Sequence, residues 1–183
     1  SEMCIRDRYY EVDLAGRLTF ANDGLVRMFG LESKEKLLGA NMLKFADEKE
    51  ALRLREMANH VYRTGLPASS FVYELRQSNG TRRDVDISLS LIKNDGGQPA
   101  GFRGIIRDVT ERRRNEVLIA GQVKVLEMIA TSTPPTEALE AIVSLVEKLS
   151  PDSICSILLL DEDGGKLRHG AAQSLPDDYI RQI

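Results

Sequence analysis

The sequence predicts an α+β domain, a five-stranded antiparallel sheet with helices inserted after its second strand, followed by a linker helix and a partial α/β segment. Three observations carry that expectation. Apolar and polar residues alternate in short runs from Tyr9 to Phe20 and again, more cleanly, from Ser69 to Val109. Between these stretches the apolar spacing becomes helical, and glycine-bearing turns stand wherever the alternating runs must reverse.

The first two strands are Tyr9-Tyr10-Glu11-Val12 and Arg17-Leu18-Thr19-Phe20, joined by a turn in which Gly16 supplies a positive φ. Leu25, Met28 and Phe29 fall at i, i+3, i+4, a short helix ended by Gly30. Ser33 is the expected N-cap of another short helix carrying Leu37 and Leu38 and closed by Gly39. Asp47 to Thr64 is the longest helix of this half, with Ala51, Leu54, Ala58 and Val61 as its apolar stripe and Gly65 and Pro67 as its stop. Phe71, Tyr73 and Leu75 alternate with Val72, Glu74 and Arg76; Asn79-Gly80 is a strong hairpin signal. Val85, Ile87, Leu89 and Leu91 then alternate with Asp84, Asp86, Ser88 and Ser90, one buried and one polar sheet face. After the Asn94-Asp95-Gly96-Gly97 turn, Phe102 to Val109 forms the last strand.

Thr110 is the expected N-cap of a helix running to about Ala130. Ile119, Val123, Leu126 and Ala130 mark a seam on it, broadened by Leu118, Val125 and Ile129. That stripe fits either a homodimer through residues 111–130 or docking on the following segment. Pro134 or Pro135 opens the next helix, whose apolar face is Leu139, Ile142, Val143, Val146 and Leu149. A strand is expected over Ile154 to Leu160, with Cys155 inside it as a small buried hydrophobe, and its hairpin partner over Lys166 to Ala172. Two helices and little more than one hairpin cannot enclose a core, so residues 120–183 are expected to be part of a larger domain.

Composition narrows the function. At 183 residues the chain holds one large domain or one and a half ordinary ones. Apolar residues at 42% and charged residues at 29% exclude a disordered chain. The net charge of -3, with basic residues dispersed, excludes nucleic acid as a main partner. The one dense basic run, Arg112 to Arg114, is flanked by Glu111 and Glu116 and reads as a solvated helix face. Cys4 and Cys155 form neither a metal-ligand spacing nor a disulfide framework, which fits a cytoplasmic chain. No apolar run approaches the roughly 18 residues of a membrane span, so no membrane contact is expected from this segment. Residues 1–8 lack either periodicity and resemble the translated adapter sequence found at the ends of metagenome-derived reading frames; they are expected to be a non-native leader.

Residues 9–116 resemble the PAS family. The resemblance rests on Phe20-Ala21-Asn22, Met28-Phe29-Gly30, Leu37-Leu38-Gly39, Arg63-Thr64-Gly65, Ser78-Asn79-Gly80 and the closing run Gly104 to Arg112, in that order. Within the closing run, Asp108-Val109-Thr110 is similar to the Asp-(Ile/Val)-Thr of the PAC-type motif, which joins last strand to output helix. The resemblance implies a sensory module of a multidomain bacterial signalling protein, a sensor histidine kinase or a cyclic-di-GMP enzyme, with Asp108, Thr110 and Glu111 relaying the signal. Residues 120–183 resemble the N-terminal part of a GAF domain, through the helix around Leu139 to Leu149, Cys155 to Asp161, and His169-Gly170-Ala171-Ala172 with Ser174-Leu175-Pro176.

The ligand is left open. Met28, Phe29, Met42, Phe71 and Tyr73 are candidate pocket-lining residues, although residues at these spacings are more often plain core. His60 is the haem-ligand candidate on the long helix. In oxygen-sensing haem members, however, the ligand lies about two helical turns before the residues matching Arg63-Thr64, where this chain has Arg55. Haem through His60 is therefore disfavoured. The stretch Gly39 to Phe45 has no flavin-reactive cysteine. Asp161, Asp163 and Gly164 hint at a calcium loop, but the later carboxylate is missing and a hairpin turn explains them better. No nucleophile–base pair and no phosphate-cradling glycine loop is present, so no enzyme activity is expected of this chain. The alternative function is a structural or dimerising module without a ligand.

Overall fold

The computed structural model describes residues 8–151, 153–160 and 165–180. They form two compact units, meeting in sequence at Thr110 and Glu111. The calcium-loop candidates Asp161, Asp163 and Gly164, and all of the expected leader except Arg8, lie outside the described residues.

In the first unit, strands β1 (Arg8–Asp13), β2 (Leu18–Ala21), β3 (Ala68–Arg76), β4 (Arg82–Lys93) and β5 (Pro99–Asp108) build one antiparallel sheet in the order β2-β1-β5-β4-β3. Helices α1 (Asp23–Met28) and α2 (Glu48–Thr64) lie between β2 and β3 in the chain. Alternation does the work the sequence assigned to it. Val85, Ile87 and Leu89 of β4 are buried with Tyr73, Leu75, Phe102 and Ile106, and they pack with Leu25, Phe29, Leu37, Leu54 and Val61 in a single core. Ser88, Ser90 and their neighbours remain partly exposed on the other face.

Caps and turns set the element ends. Asn22 and Asp47 accept hydrogen bonds from the Leu25 and Glu50 amides, starting α1 and α2, and Gly65 ends α2 in the left-handed region at φ 70°. In the first hairpin, Asp13 Oδ1 accepts from the amides of Ala15 and Arg17. The β3–β4 turn grips the end of α1. Gln77 Nε2 donates to the Met28 carbonyl, and the Ser78 hydroxyl donates to the carbonyls of Phe29 and Gly30 at 3.1 and 2.9 Å. These are carbonyls that a helix end leaves without partners.

Several expectations need correction. Arg8, expected to lie ahead of the domain, pairs in β1 opposite Ile106. The helix expected after Ser33 is one 3-10 turn, Lys34–Lys36, and the Ser33 side chain makes no cap bond. The backbone beyond it is instead drawn onto β2, where the Gly39 amide donates to Leu18 O and the Leu18 amide to Ala40 O. A second 3-10 turn, Met42–Phe45, has Asn41 as its N-cap.

The second unit contains the remainder of α3 (Thr110–Ala130), α4 (Pro135–Leu149), the β6–β7 hairpin (Ile157–Leu160 and Leu167–Ala171) and α5 (Asp177–Ile180). Val143 and Ala171 are its buried apolar residues, and α3 has no buried residue. Cys155 is not within a strand; it is half-buried ahead of β6. Its amide donates to the Glu147 carboxylate at 3.1 Å, so it is not part of a strand ladder.

Candidate functional site

The sheet and the helices leave a cavity of about 510 Å³ in the first unit. Its floor is apolar: Val12 of β1, Ile87 and Leu89 of β4 and Phe102 of β5, facing Leu54, Met57 and Ala58 of α2. The β1–β2 turn (Leu14, Ala15, Gly16) and the 3-10 turn residues Asn41, Met42 and Leu43 close one side. That side is tied together by Asn41, whose Nδ2 donates to Ala15 O while its Oδ1 accepts from the Leu43 amide, both at 2.9 Å. With both ends of its amide engaged, Asn41 is a strut.

Tyr10 forms the back of the cavity through a specific arrangement. It stands opposite Gly104 across β1 and β5, and its hydroxyl donates to the Ser88 carbonyl of β4 at 3.2 Å. The ring can take this path only because Gly104 has no side chain. A Cβ there would overlap the Ser88 carbonyl oxygen and lie 2.8 Å from Tyr10 Oη. Burial pushes the Tyr10 phenol well above its ordinary range, so it stays a neutral donor.

Of the five pocket candidates, the structure places only Met42 on the cavity wall. Met28, Phe29 and Tyr73 are core residues, while Phe71 is half-buried with the Arg53 guanidinium 4.7 Å over its ring. The reason for the two strand residues is position in the sheet: Phe71 and Tyr73 lie on the edge strand β3, and the cavity spans β1, β5 and β4. His60 is exposed and does not line the cavity. Sequence reasoning missed the cavity's polar edge, Arg55, Asn59 and Tyr62, which is legible as i, i+4, i+7 on α2, each residue one position after Leu54, Ala58 and Val61 of the core stripe.

The second feature is the strand-to-helix junction. Asp108 closes β5 and Thr110 opens α3. Arg83 Nη1 donates to Asp108 Oδ2 at 2.6 Å, and Asp108 Oδ1 accepts from the Thr110 amide at 3.0 Å. The Thr110 hydroxyl accepts from the Asp84 amide at 3.0 Å, and the Val109 amide donates to Asp84 O at 2.9 Å. Thr110 therefore does not act as the expected side-chain cap of α3: its hydroxyl is committed to β4. Partial burial pushes the Asp108 carboxyl up, but hydrogen bonds from Thr110 and Arg83 outweigh it and hold the group below the usual carboxylate range. Glu111, the third relay candidate, is exposed at the first turn of α3. Arg83 and Asp84 were missed because both sit in an alternating polar run that reads as solvated sheet face.

The family model described as the PAS domain matches residues 7–111. The chain belongs to the PAS family. The methyl sulfide methyltransferase-associated sensor of Methanosarcina acetivorans is 34% identical to it over 111 residues, covering 61% of this chain and 11% of that protein. The sensor protein kinase WalK of Staphylococcus aureus is 27% identical over 110 residues, covering 60% of this chain and 16% of that protein. The chain thus matches only a small part of either sensor's length. Among solved structures, the PAS domain of a Colwellia psychrerythraea protein superposes with a TM-score of 0.54 at 18% identity, covering 59% of this chain and 90% of that one. A single-substitution variant of the PAS-B domain of Drosophila melanogaster Cycle with bound glycerol gives 0.51 at 13%, covering 55% and 98%. These likenesses establish the PAS fold, an α+β domain built on a five-stranded antiparallel sheet. Among the described residues no helix is long and apolar enough to cross a membrane, and no cluster of His, Cys, Asp and Glu could hold a metal ion.

Proposed function

We propose that this PAS domain is the ligand-responsive sensory module of a longer bacterial signalling protein, with a sensor histidine kinase or a cyclic-di-GMP enzyme as its output. One observation carries the reading: strand β4 holds both ends of a path. Its Ile87 and Leu89 line the cavity, while its Arg83 and Asp84 bind Asp108 and Thr110 at the start of α3. A ligand that favours one placement of β4 thereby favours one placement of the first turn of α3, which is the differential interaction that a relay requires. The sensor proteins that share the domain support the same role, and Cycle PAS-B with glycerol supports small-molecule occupancy of such a fold. Residues 120–183 fit the opening of a GAF domain, and catalysis belongs to a domain outside this chain.

The test is Asp108→Ala in the full-length protein. Ligand-dependent output should be lost, while the far-UV circular dichroism and the cavity's ligand occupancy stay as in the wild type. Unaltered signalling would reject the relay. A second reading, a ligand-free dimerising module, is favoured by the exposed apolar stripe of α3, where Ile119, Leu126 and Ile129 are all at least 60% exposed. Native mass spectrometry and an absorption spectrum of the purified chain separate the two: bound ligand or colour supports sensing, and an empty dimer supports the alternative.

A further inference from the structure

The wall of the cavity is chemically lopsided. Among the described residues that line it, Arg55 is the one charged side chain and none is acidic. Among the described residues Arg55 also has no counter-ion. A carboxylate three or four residues away on a helix would neutralise it, but those positions on α2 hold Ala51, Leu52, Ala58 and Asn59. The nearby Arg53 shows the contrast, since Glu50 pairs with it at 3.0 Å and its guanidinium is spent over Phe71. Among the described residues no hydrogen bond or ion pair engages the Arg55, Asn59 or Tyr62 side chains. Stacked on one edge of α2, they offer guanidinium, amide and phenol groups to whatever enters. Opposite them the strand floor offers Val12, Ile87, Leu89 and Phe102, which can bind only apolar surface.

We infer that the cavity selects a small amphiphilic anion, an organic carboxylate with an apolar body. Its carboxylate pairs with Arg55 at the mouth, assisted by Asn59, and its hydrocarbon or aryl portion lies on the strand floor. Guanidinium is the group best matched to a carboxylate, because its planar fork donates two parallel hydrogen bonds. A cation is disfavoured by the same Arg55, and a strongly polar ligand by the apolar floor, where its groups would find no partners. A volume of about 510 Å³ accommodates a molecule of metabolite size. This inference rests on the reading of the cavity as the sensing site.

The experiment is titration calorimetry of the full chain with three carboxylate probes, octanoate, decanoate and phenylacetate, each against the alcohol of matching skeleton. At least one carboxylate should bind more tightly than its alcohol. Arg55→Gln should weaken that carboxylate by about two- to fivefold and leave the alcohol unchanged. Asn59→Leu should give a smaller loss in the same direction. Arg55 is exposed on the helix surface, so the variant keeps its fold, which circular dichroism verifies. If alcohols bind as well as their acids, or Arg55→Gln leaves the acids unaffected, the anion inference is overturned while the cavity stands as a binding site. If no probe of either kind binds, the anion inference falls and the sensing-cavity reading falls with it.

Discussion

Replacing Gly104 with alanine should be the most damaging single-methyl change in the PAS domain, and the structure says by how much. The added Cβ would overlap the Ser88 carbonyl oxygen of β4 and crowd Tyr10 Oη and Cζ at 2.8 and 2.9 Å. Neither neighbour can yield cheaply. The Ser88 carbonyl is backbone, and the Ile105 amide beside Gly104 already donates to Ser88 Oγ at 3.3 Å. The Tyr10 ring is 1% exposed and is tied to β4 by its hydroxyl's bond to the Ser88 carbonyl. Overpacking of this kind costs about 1–3 kcal/mol. Displacing the ring also breaks the Tyr10–Ser88 hydrogen bond and strands a buried hydroxyl, about another 1–3 kcal/mol. The sum, roughly 2–6 kcal/mol, is a large fraction of the roughly 5–15 kcal/mol that ordinarily holds a domain together. Urea unfolding followed by circular dichroism reads this directly: with a slope of about 2 kcal/mol per molar, the midpoint should fall by about 1–3 M. Tyr10→Phe removes only the hydroxyl and should cost about 1 kcal/mol. Gly80→Ala tests conformation alone, because Gly80 has φ 85° with open space around it, and should cost about 1–2 kcal/mol. A Gly104→Ala midpoint within about 0.3 M of wild type would refute the close approach of Tyr10, Gly104 and Ser88.

Two further outcomes follow from the geometry. The Asp108 carboxyl is held below its usual range, so its ion pair and hydrogen bonds stabilise the fold above about pH 4, and that contribution disappears as pH falls through the lower folded value. Asp108→Asn should therefore be less stable than wild type at pH 7, with the difference shrinking toward pH 2 in urea midpoints taken across the range; an equal difference at both ends would contradict the assignment. Ser70 sits at a register shift in β3 with φ 63°, a conformation that favours glycine. Ser70→Gly should be neutral or stabilising by up to about 1 kcal/mol in thermal melts, because the bond it gives up, Ser70 to Asp86 at 3.3 Å, is exposed; clear destabilisation would show that this bond matters more than the backbone strain.

The sheet was readable because burial on one face forces alternation, and β4 shows it residue by residue from Val85 to Leu89. Helix α2 was readable for the parallel reason, its stripe of Ala51, Leu54, Ala58 and Val61 meeting the core with Asp47 and Gly65 at its ends. The functional features were harder. A one-dimensional pattern distinguishes inside from outside, but not core from cavity wall, so Tyr73 and Phe29 were as plausible for the pocket as Met42. Arg55, Asn59 and Tyr62 look like the wet side of a helix until the β1–β2 turn is folded up against them. Arg83 is the same kind of miss: its meaning comes from Asp108, 25 residues away, which pairing of β4 with β5 brings alongside. The turn after Ser33 went wrong because local cap chemistry was outweighed by a non-local ladder to β2.

The grip of Gln77 and Ser78 on the end of α1 bears on where this domain tolerates interruption. The loop that carries Asn79 and Gly80 is not free surface, since lengthening it would pull two donors off three helix-end carbonyls and loosen a helix remote in sequence. The tip at Asn94 to Gly97 holds itself through Asn94 and the Gln98 amide, and Gly97 faces open space. A fluorophore, epitope or inserted reporter belongs at that second tip, where the chain can be spliced without disturbing the helix.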